Sequence, residues 1–138
     1  MTAKEFLRRA RCADRRVDEA TERVMRIRAR LEAGRMTTLS DMPRGGASDW
    51  TDTANALVEL EKDMNARIRE MVREKRLAME AIAAVEEANL REVLELYYLD
   101  GFTWEKVADI MGYDVRHITR LHGKALLKIR VPDELTDR

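Results

Sequence analysis

The chain has 138 residues, of which 38% are charged, 45% hydrophobic and 5% aromatic, with 6 Gly and 2 Pro. This composition is too apolar for a disordered chain and too poor in Gly for a barrel or sandwich, and the length allows one domain or two small ones. The net charge of zero argues against a bulk polyanion binder, although residues 113–130 hold five basic residues and one acid. No run reaches the ~18 apolar residues of a membrane span, no signal peptide is visible, and the lone Cys12 lacks a disulfide partner. We therefore expect a protein of the reducing cytoplasm that has no membrane partner.

The first predicted helix follows from heptad spacing. Apolar residues alternate steps of three and four from Ala3 to Leu31, which is a seam of four heptads. Thr2 is a predicted N-cap and Gly34 a predicted stop, so we expect a helix over about residues 2–33. A loop is predicted over 34–48, which holds one Pro and three Gly.

The second predicted helix covers about residues 49–86, where the three-and-four rhythm continues through Leu57, Leu60 and Met64. The two helices are similar in length and opposite in net charge, which favours an antiparallel coiled-coil hairpin over residues 1–88. Heptads do not reveal whether the partner helix lies in the same chain, so a homodimer through the coiled coil stays open as an alternative.

The final third predicts three short helices over residues 89–131, followed by a tail over 132–138. Asp100-Gly101 ends the first, Thr103 caps a second over Trp104–Met111, and Asp114 caps a third that runs from Val115 to about 129. The predicted core of this unit includes Phe102, Ile110, Ile118 and Leu121. The fold class is therefore all-α, with a long hairpin followed by a three-helix unit.

The last two helices have helix-turn-helix form, because Gly112 stands in a short turn between them. Arg116, Arg120 and Lys124 follow at i, i+4 and i+8 and so line one face, which suits a helix that enters the major groove. His117 and His122 are five residues apart, which is the wrong spacing for a shared metal, and His122 is expected on the helix surface. The predicted DNA-contacting residues are Thr103, Tyr113, Val115, Arg116, His117, Thr119, Arg120, Lys124 and Lys128.

Residues 103–129 read TWEKVADIMGYDVRHITRLHGKALLKI, which resembles region 4 of sigma-70-type factors, and residues 91–103 resemble the first helix of that region. The resemblance implies a three-helix DNA-binding unit of about 40 residues. No region 2 is present, so we expect no promoter melting. The recognition helix opens with Val115, Arg116 and His117, where regions that read a −35 element have Arg-Glu-Arg, so the DNA sequence preference does not carry over. Lys124, at a position that is basic in the family, is the contact that does.

The whole layout also resembles small phage proteins of the ArpU-type late-transcription regulator group. The opening MTAKEFL, the segment TLSDMP at 38–43 and the run from Met111 to Leu126 carry this resemblance. It implies a transcriptional regulator of phage or prophage late genes in a bacterial host cell.

The sequence contains no nucleophile–base pair, carboxylate cluster or cofactor fingerprint, so we expect neither an enzyme nor a bound cofactor or metal. The leading prediction is a regulator whose partners are double-stranded DNA and, as a further candidate, host RNA polymerase. Two alternatives stay open. One is a DNA-packaging protein of the small-terminase kind, and the other is a polymerase adaptor that does not itself read DNA.

Overall fold

The computed structural model describes residues 1–40 and 46–136, and every regular element in these ranges is helical, as predicted. Two long helices come first, and a short π-helical turn separates the third helix from the fourth. The elements are α1 (Ala3–Ser40), α2 (Gly46–Ala83), α3 (Ala88–Leu94), the π-helical turn (Glu95–Leu99), α4 (Trp104–Met111), α5 (Val115–Lys128) and α6 (Asp133–Thr136).

The start of α1 is fixed by a reciprocal cap, which confirms the predicted N-cap. The backbone N–H of Glu5 donates to Thr2 Oγ1 at 3.2 Å, and the backbone N–H of Thr2 donates to Glu5 Oε2 at 3.1 Å. The two side chains therefore satisfy N–H groups that have no partner within the helix.

The long helices end at other residues than the sequence predicted. Gly34 does not stop α1, which continues to Ser40, and α2 begins at Gly46 and ends at Ala83. Gly34 lies against the ring of Trp50, and a Cβ atom at residue 34 would overlap that ring. The missing side chain thus permits a close helix–helix approach rather than a turn. Of the predicted loop 34–48, residues 41–45 lie outside the described residues.

The contacts divide the chain into two compact units: residues 15–71, and residues 1–14 together with those from 72 onward. This division does not coincide with the predicted boundary after residue 88. The first turns of α1 and the last turns of α2 share a buried cluster with the C-terminal helices. This packing unit therefore contains segments that are far apart in the sequence.

Within residues 15–71, the two helices run antiparallel. Ala20 and Val24 of α1 pack with Met64 of α2, whereas the later residues Ile27 and Leu31 pack with the earlier Leu57. This pairing confirms the predicted helical hairpin.

Leu60 was predicted to lie in the hairpin seam, and this prediction is wrong, because its side chain is 47% exposed. An α-helix places Leu60 about 60° around its axis from Leu57. On the other side of Leu57 lies Glu61, whose Oε1 accepts from Arg28 Nε at 2.7 Å. The helix therefore turns its Glu61 side, rather than its Leu60 side, towards α1.

In the other unit, the start of α1 and the end of α2 pack with α3, the π-helical turn, α4 and α5 in one apolar core. α5 is its central element, because both α3 and α4 pack against it. Leu7 and Tyr98 are buried here although the sequence did not single them out. The buried residues are Phe6, Leu7, Ala10, Ala78, Ile82, Val85, Leu90, Val93, Leu94, Tyr98, Val107, Ala108, Ile118, Leu121, Ala125 and Leu135.

The predicted core of the C-terminal unit is right for Ile118 and Leu121 and wrong for Ile110 and Phe102, which are exposed. Ile110 lies about 200° around α4 from the buried Ala108, so it faces away from the core. Phe102 belongs to the turn before α4, where the backbone, rather than the ring, makes the contacts described below.

The helix-turn-helix has the predicted caps. Thr103 Oγ1 accepts from the backbone N–H of Lys106 at 3.2 Å, and Asp114 Oδ1 accepts from that of His117 at 2.7 Å. Gly112 ends α4 with a φ of 73°, in the left-handed region that favours glycine. These local signals fix α4 and α5 within a residue of their predicted ends.

Two parts of the C-terminal third differ from the prediction. The first short helix changes to a π-helical turn at Glu95, where the backbone N–H of Asp100 donates to the carbonyl of Glu95 at 2.9 Å. The predicted tail forms the short helix α6, whose Leu135 is only 1% exposed and whose Glu134 forms an ion pair with Arg73.

Candidate nucleic-acid interface

The outward face of α5 carries three exposed basic side chains. Ile118 and Leu121 turn the opposite face into the core, which directs Arg116, Arg120 and Lys124 to solvent. None of the three forms an ion pair with the residues that the structure describes, so their charges are available to a ligand. The arrangement can bind phosphates and the acceptor atoms of guanine.

The N-terminal end of α5 adds aromatic and apolar groups to this face. Tyr113 and Val115 are exposed, and the rings of Tyr113 and His117 meet edge to face with centroids 4.6 Å apart. The hydroxyl of Thr119 donates to the carbonyl of Val115 at 3.0 Å, which leaves its oxygen as an acceptor. The structure thus brings these four predicted residues to one end of the helix.

The two remaining predicted residues, Thr103 and Lys128, lie at the edges. Thr103 is exposed at the start of α4, and its hydroxyl oxygen is occupied as the N-cap. Lys128 Nζ lies 3.5 Å from Glu87 Oε1, so its charge is partly neutralised within the protein. Among the predicted basic residues, Lys128 is therefore the least available to DNA.

Behind α5 lies an aromatic cluster formed by Tyr97, Tyr98, Trp104 and His122. The rings of Tyr97 and Trp104 are stacked, with centroids 3.6 Å apart and planes at 8°, and the Trp104 and His122 rings are 4.6 Å apart. Tyr98 Oη lies 2.7 Å from His122 Nε2, in hydrogen-bond distance. The prediction that His122 lies on the helix surface is wrong, because this imidazole links α5 to the π-helical turn.

Arg11 of α1 joins this cluster, and the sequence did not identify it. Its guanidinium lies over the Tyr97 ring, with Cζ 3.9 Å from the centroid, and Nη1 donates to the carbonyl oxygens of Tyr97 and Phe102, the latter at 3.1 Å. In the sequence, Arg11 stands between the seam residues Ala10 and Ala13. Leu7, which follows the seam residue Phe6, widens the apolar stripe of α1 in its first turns, but Met25 does the same beside Val24, so the sequence carries no specific signal for this contact.

Burial changes the pKa of both hydrogen-bonded side chains in this cluster. It lowers the pKa of His122 from 6.5 to about 4, and the positive charges of Lys4 and Arg8 act in the same direction. Burial also raises the pKa of Tyr98 from 10.0 to about 12, with a further contribution from Tyr97. Both side chains are therefore neutral at pH 7, which suits a structural contact.

Within the described residues, no group of three His, Cys, Asp or Glu side chains is placed to hold a metal ion. Cys12 is exposed and has a free thiol. Among the described residues, no helix has an apolar stretch of sufficient length to span a bilayer.

Comparison with known proteins identifies the segment that contains this interface. Residues 87–131 match the family model of sigma-70 region 4, which confirms the predicted region 4-like helix-turn-helix. No curated protein and no solved structure matches the chain. The match points to a DNA-binding regulator rather than an enzyme. The last third of the chain is therefore a sigma-70 region 4-like helix-turn-helix, which comprises α3, the π-helical turn, α4 and α5.

Proposed function

We propose that this chain regulates transcription of phage or prophage late genes in the cytoplasm of a bacterial host, with α5 bound in the major groove of promoter DNA. The observation that carries the proposal is the outward face of α5, where Arg116 and Arg120 are exposed and form no ion pair with described residues. Guanidinium groups at the start of a recognition helix are the commonest donors to guanine. The phage assignment rests on the resemblance of the whole layout to late-transcription regulators.

The flanking residues divide into two groups in this proposal. Val115, His117 and Thr119 stand near the start of α5, where side chains reach base edges. The phosphate contacts come from Thr103, Tyr113, Lys124 and Lys128. Lys128 contributes least, because a contact with phosphate would replace its ion pair with Glu87.

RNA polymerase is the second proposed partner, and one observation favours it. Leu127 is 86% exposed on α5, and an apolar side chain between lysines suits a protein surface better than a phosphate backbone. Sigma region 4 domains bind core RNA polymerase as well as DNA. An adaptor that contacts only the polymerase is therefore the alternative function, and the small-terminase-like role has no observation in its favour.

The test is selection of bound duplexes from a random DNA pool, followed by gel shift with and without bacterial RNA polymerase. A regulator enriches one sequence and shifts it alone, whereas an adaptor shifts DNA only when polymerase is present. An enriched sequence that maps to a packaging start rather than a promoter would favour the small-terminase-like role. If neither condition enriches a sequence, the proposal is wrong.

A further inference from the structure

Two basic side chains on the first turns of α1, Lys4 and Arg8, have no structural partner in the part of the chain that is described. Both are exposed, and their i, i+4 spacing places them on one face of the helix. The nearby carboxylate of Glu5 is occupied, because it accepts from the backbone of Thr2 in the N-terminal cap. Two neighbouring positive charges without a carboxylate partner can attract an anion such as a phosphate group.

The packing of α1 fixes this pair beside the helix-turn-helix. Phe6 and Leu7 lie between the two in sequence and are buried in the same cluster as Ile118 of α5. Arg11, three residues beyond Arg8, donates to the carbonyl of Phe102, the residue that precedes Thr103. The basic pair therefore lies on a packed part of α1 next to the start of α4.

The charges of the pair reach α5. Lys4 and Arg8 both act on the imidazole of His122, and Arg8 also acts on Tyr98. His122 in turn contacts Trp104, the first residue of α4, with ring centroids 4.6 Å apart. The pair therefore adds positive charge on the side of the helix-turn-helix that carries His122 and the start of α4, about 160° around α5 from Arg120 and Lys124.

We propose that Lys4 and Arg8 bind DNA phosphates and form a second backbone contact beside the one made by α4 and α5. The inference rests on the proposed function. In helix-turn-helix complexes the first helix crosses the phosphate backbone while the second enters the groove. The start of α4 therefore faces phosphates, and the adjacent basic pair of α1 meets the next ones along the strand. Contacts of this kind raise affinity and fix orientation without reading sequence.

The test compares the double variant Lys4→Gln/Arg8→Gln with the wild-type chain on the selected duplex at several salt concentrations. Loss of two phosphate contacts should lower the slope of log affinity against log salt by about two. The preference for matched over mismatched duplexes should stay the same, and so should the melting temperature, because both side chains are exposed. Lys4→Arg/Arg8→Lys should keep the wild-type slope.

The matched control is Arg26→Gln/Arg30→Gln, which removes two exposed charges at the same spacing from the same helix, in residues 15–71. It should keep the wild-type slope. If Lys4→Gln/Arg8→Gln also keeps it while Arg116→Ala/Arg120→Ala loses affinity, the inference is wrong and the proposed function stands. If the wild-type chain binds no duplex, both are wrong. A changed sequence preference in the Lys4/Arg8 variant would overturn the assignment to phosphates.

Discussion

Arg120 and Lys124 share one face of α5 but lie one helical turn apart, so the proposed complex places them against different parts of a duplex. We expect Arg120→Ala to weaken binding to the matched site by about 1–3 kcal/mol and to relax preference at one base pair, because it loses a base contact. Lys124→Ala should weaken all sequences alike and lower the salt slope by about one. Anisotropy on matched and mismatched duplexes at several salt concentrations measures both. Identical profiles for the two variants would contradict this division of roles.

His122 gives the fold a pH dependence with a definite sign. Its pKa is about 4 in the folded chain and about 6.5 when unfolded, so between these values the unfolded chain binds one more proton. The stability that this group contributes is fully present above pH 6.5 and is lost as pH falls towards 4.

The variant His122→Gln isolates this effect. The difference in unfolding free energy between the wild-type chain and the variant should be constant above pH 7 and should shrink as pH falls from 6.5 to 4. Urea titrations at each pH measure this difference, and the carboxylates common to both proteins cancel in it. A difference that is the same at pH 7 and pH 5 would show that the imidazole is not shielded as described.

At the residue scale, the sequence predicts those side-chain roles that depend on residues close by in the chain. Thr103 and Asp114 are caps because each bonds the backbone three residues ahead, a relation that is visible in the order of residues. The contacts of Arg11 and His122 are different in kind. Arg11 meets a carbonyl 86 residues away, and His122 meets a tyrosine 24 residues away, so only the tertiary fold brings the partners together.

At the scale of elements, burial of apolar side chains should decide the stability of the hairpin. Ile27 is 8% exposed within its seam, whereas Leu60 is about half exposed on the flank of α2. We expect Ile27→Ala to lower the free energy of unfolding by about 2–4 kcal/mol and Leu60→Ala by less than about 1 kcal/mol. Urea unfolding followed by circular dichroism measures both, and an equal loss would mean that the two residues are buried alike.

Element ends were harder to predict than element types. The heptad rhythm predicts both long helices because amphipathic periodicity is repeated over many turns. Gly34 reads as a stop because glycine weakens a helix interior by about 1 kcal/mol. Its contact with Trp50 is formed between two helices and is invisible in a local pattern. The π-helical turn at Glu95–Leu99 likewise has no local signal, since it buries Tyr98 against groups from other elements.

At the scale of the whole molecule, the apolar core of the region 4-like segment includes side chains from outside that segment. Phe6, Leu7 and Ile82 lie in the same buried cluster as the residues of α3 and α5. A fragment of residues 87–138 would therefore expose core surface that these side chains cover. We expect this fragment to melt at a much lower temperature than the full chain, or without a cooperative transition.

Thermal melts of the fragment and the full chain followed by circular dichroism check this expectation. Phe6→Ala in the full chain is the matching point variant, because it removes one of the covering side chains. It should lower the free energy of unfolding by about 3–5 kcal/mol. A fragment that melts cooperatively at the temperature of the full chain would show that α1 and α2 are dispensable for this core.

The central claim is that the outward face of α5 binds duplex DNA, and one binding measurement tests it most directly. The affinity of the wild-type chain for its selected duplex is compared with those of Arg116→Ala/Arg120→Ala and of the control Arg26→Ala/Arg30→Ala. We predict that the first variant binds at least about tenfold more weakly, because it loses two contacts on the groove-facing surface, while the control binds like the wild type. Wild-type affinity in Arg116→Ala/Arg120→Ala, with its helical content intact, would contradict the claim and favour the polymerase adaptor.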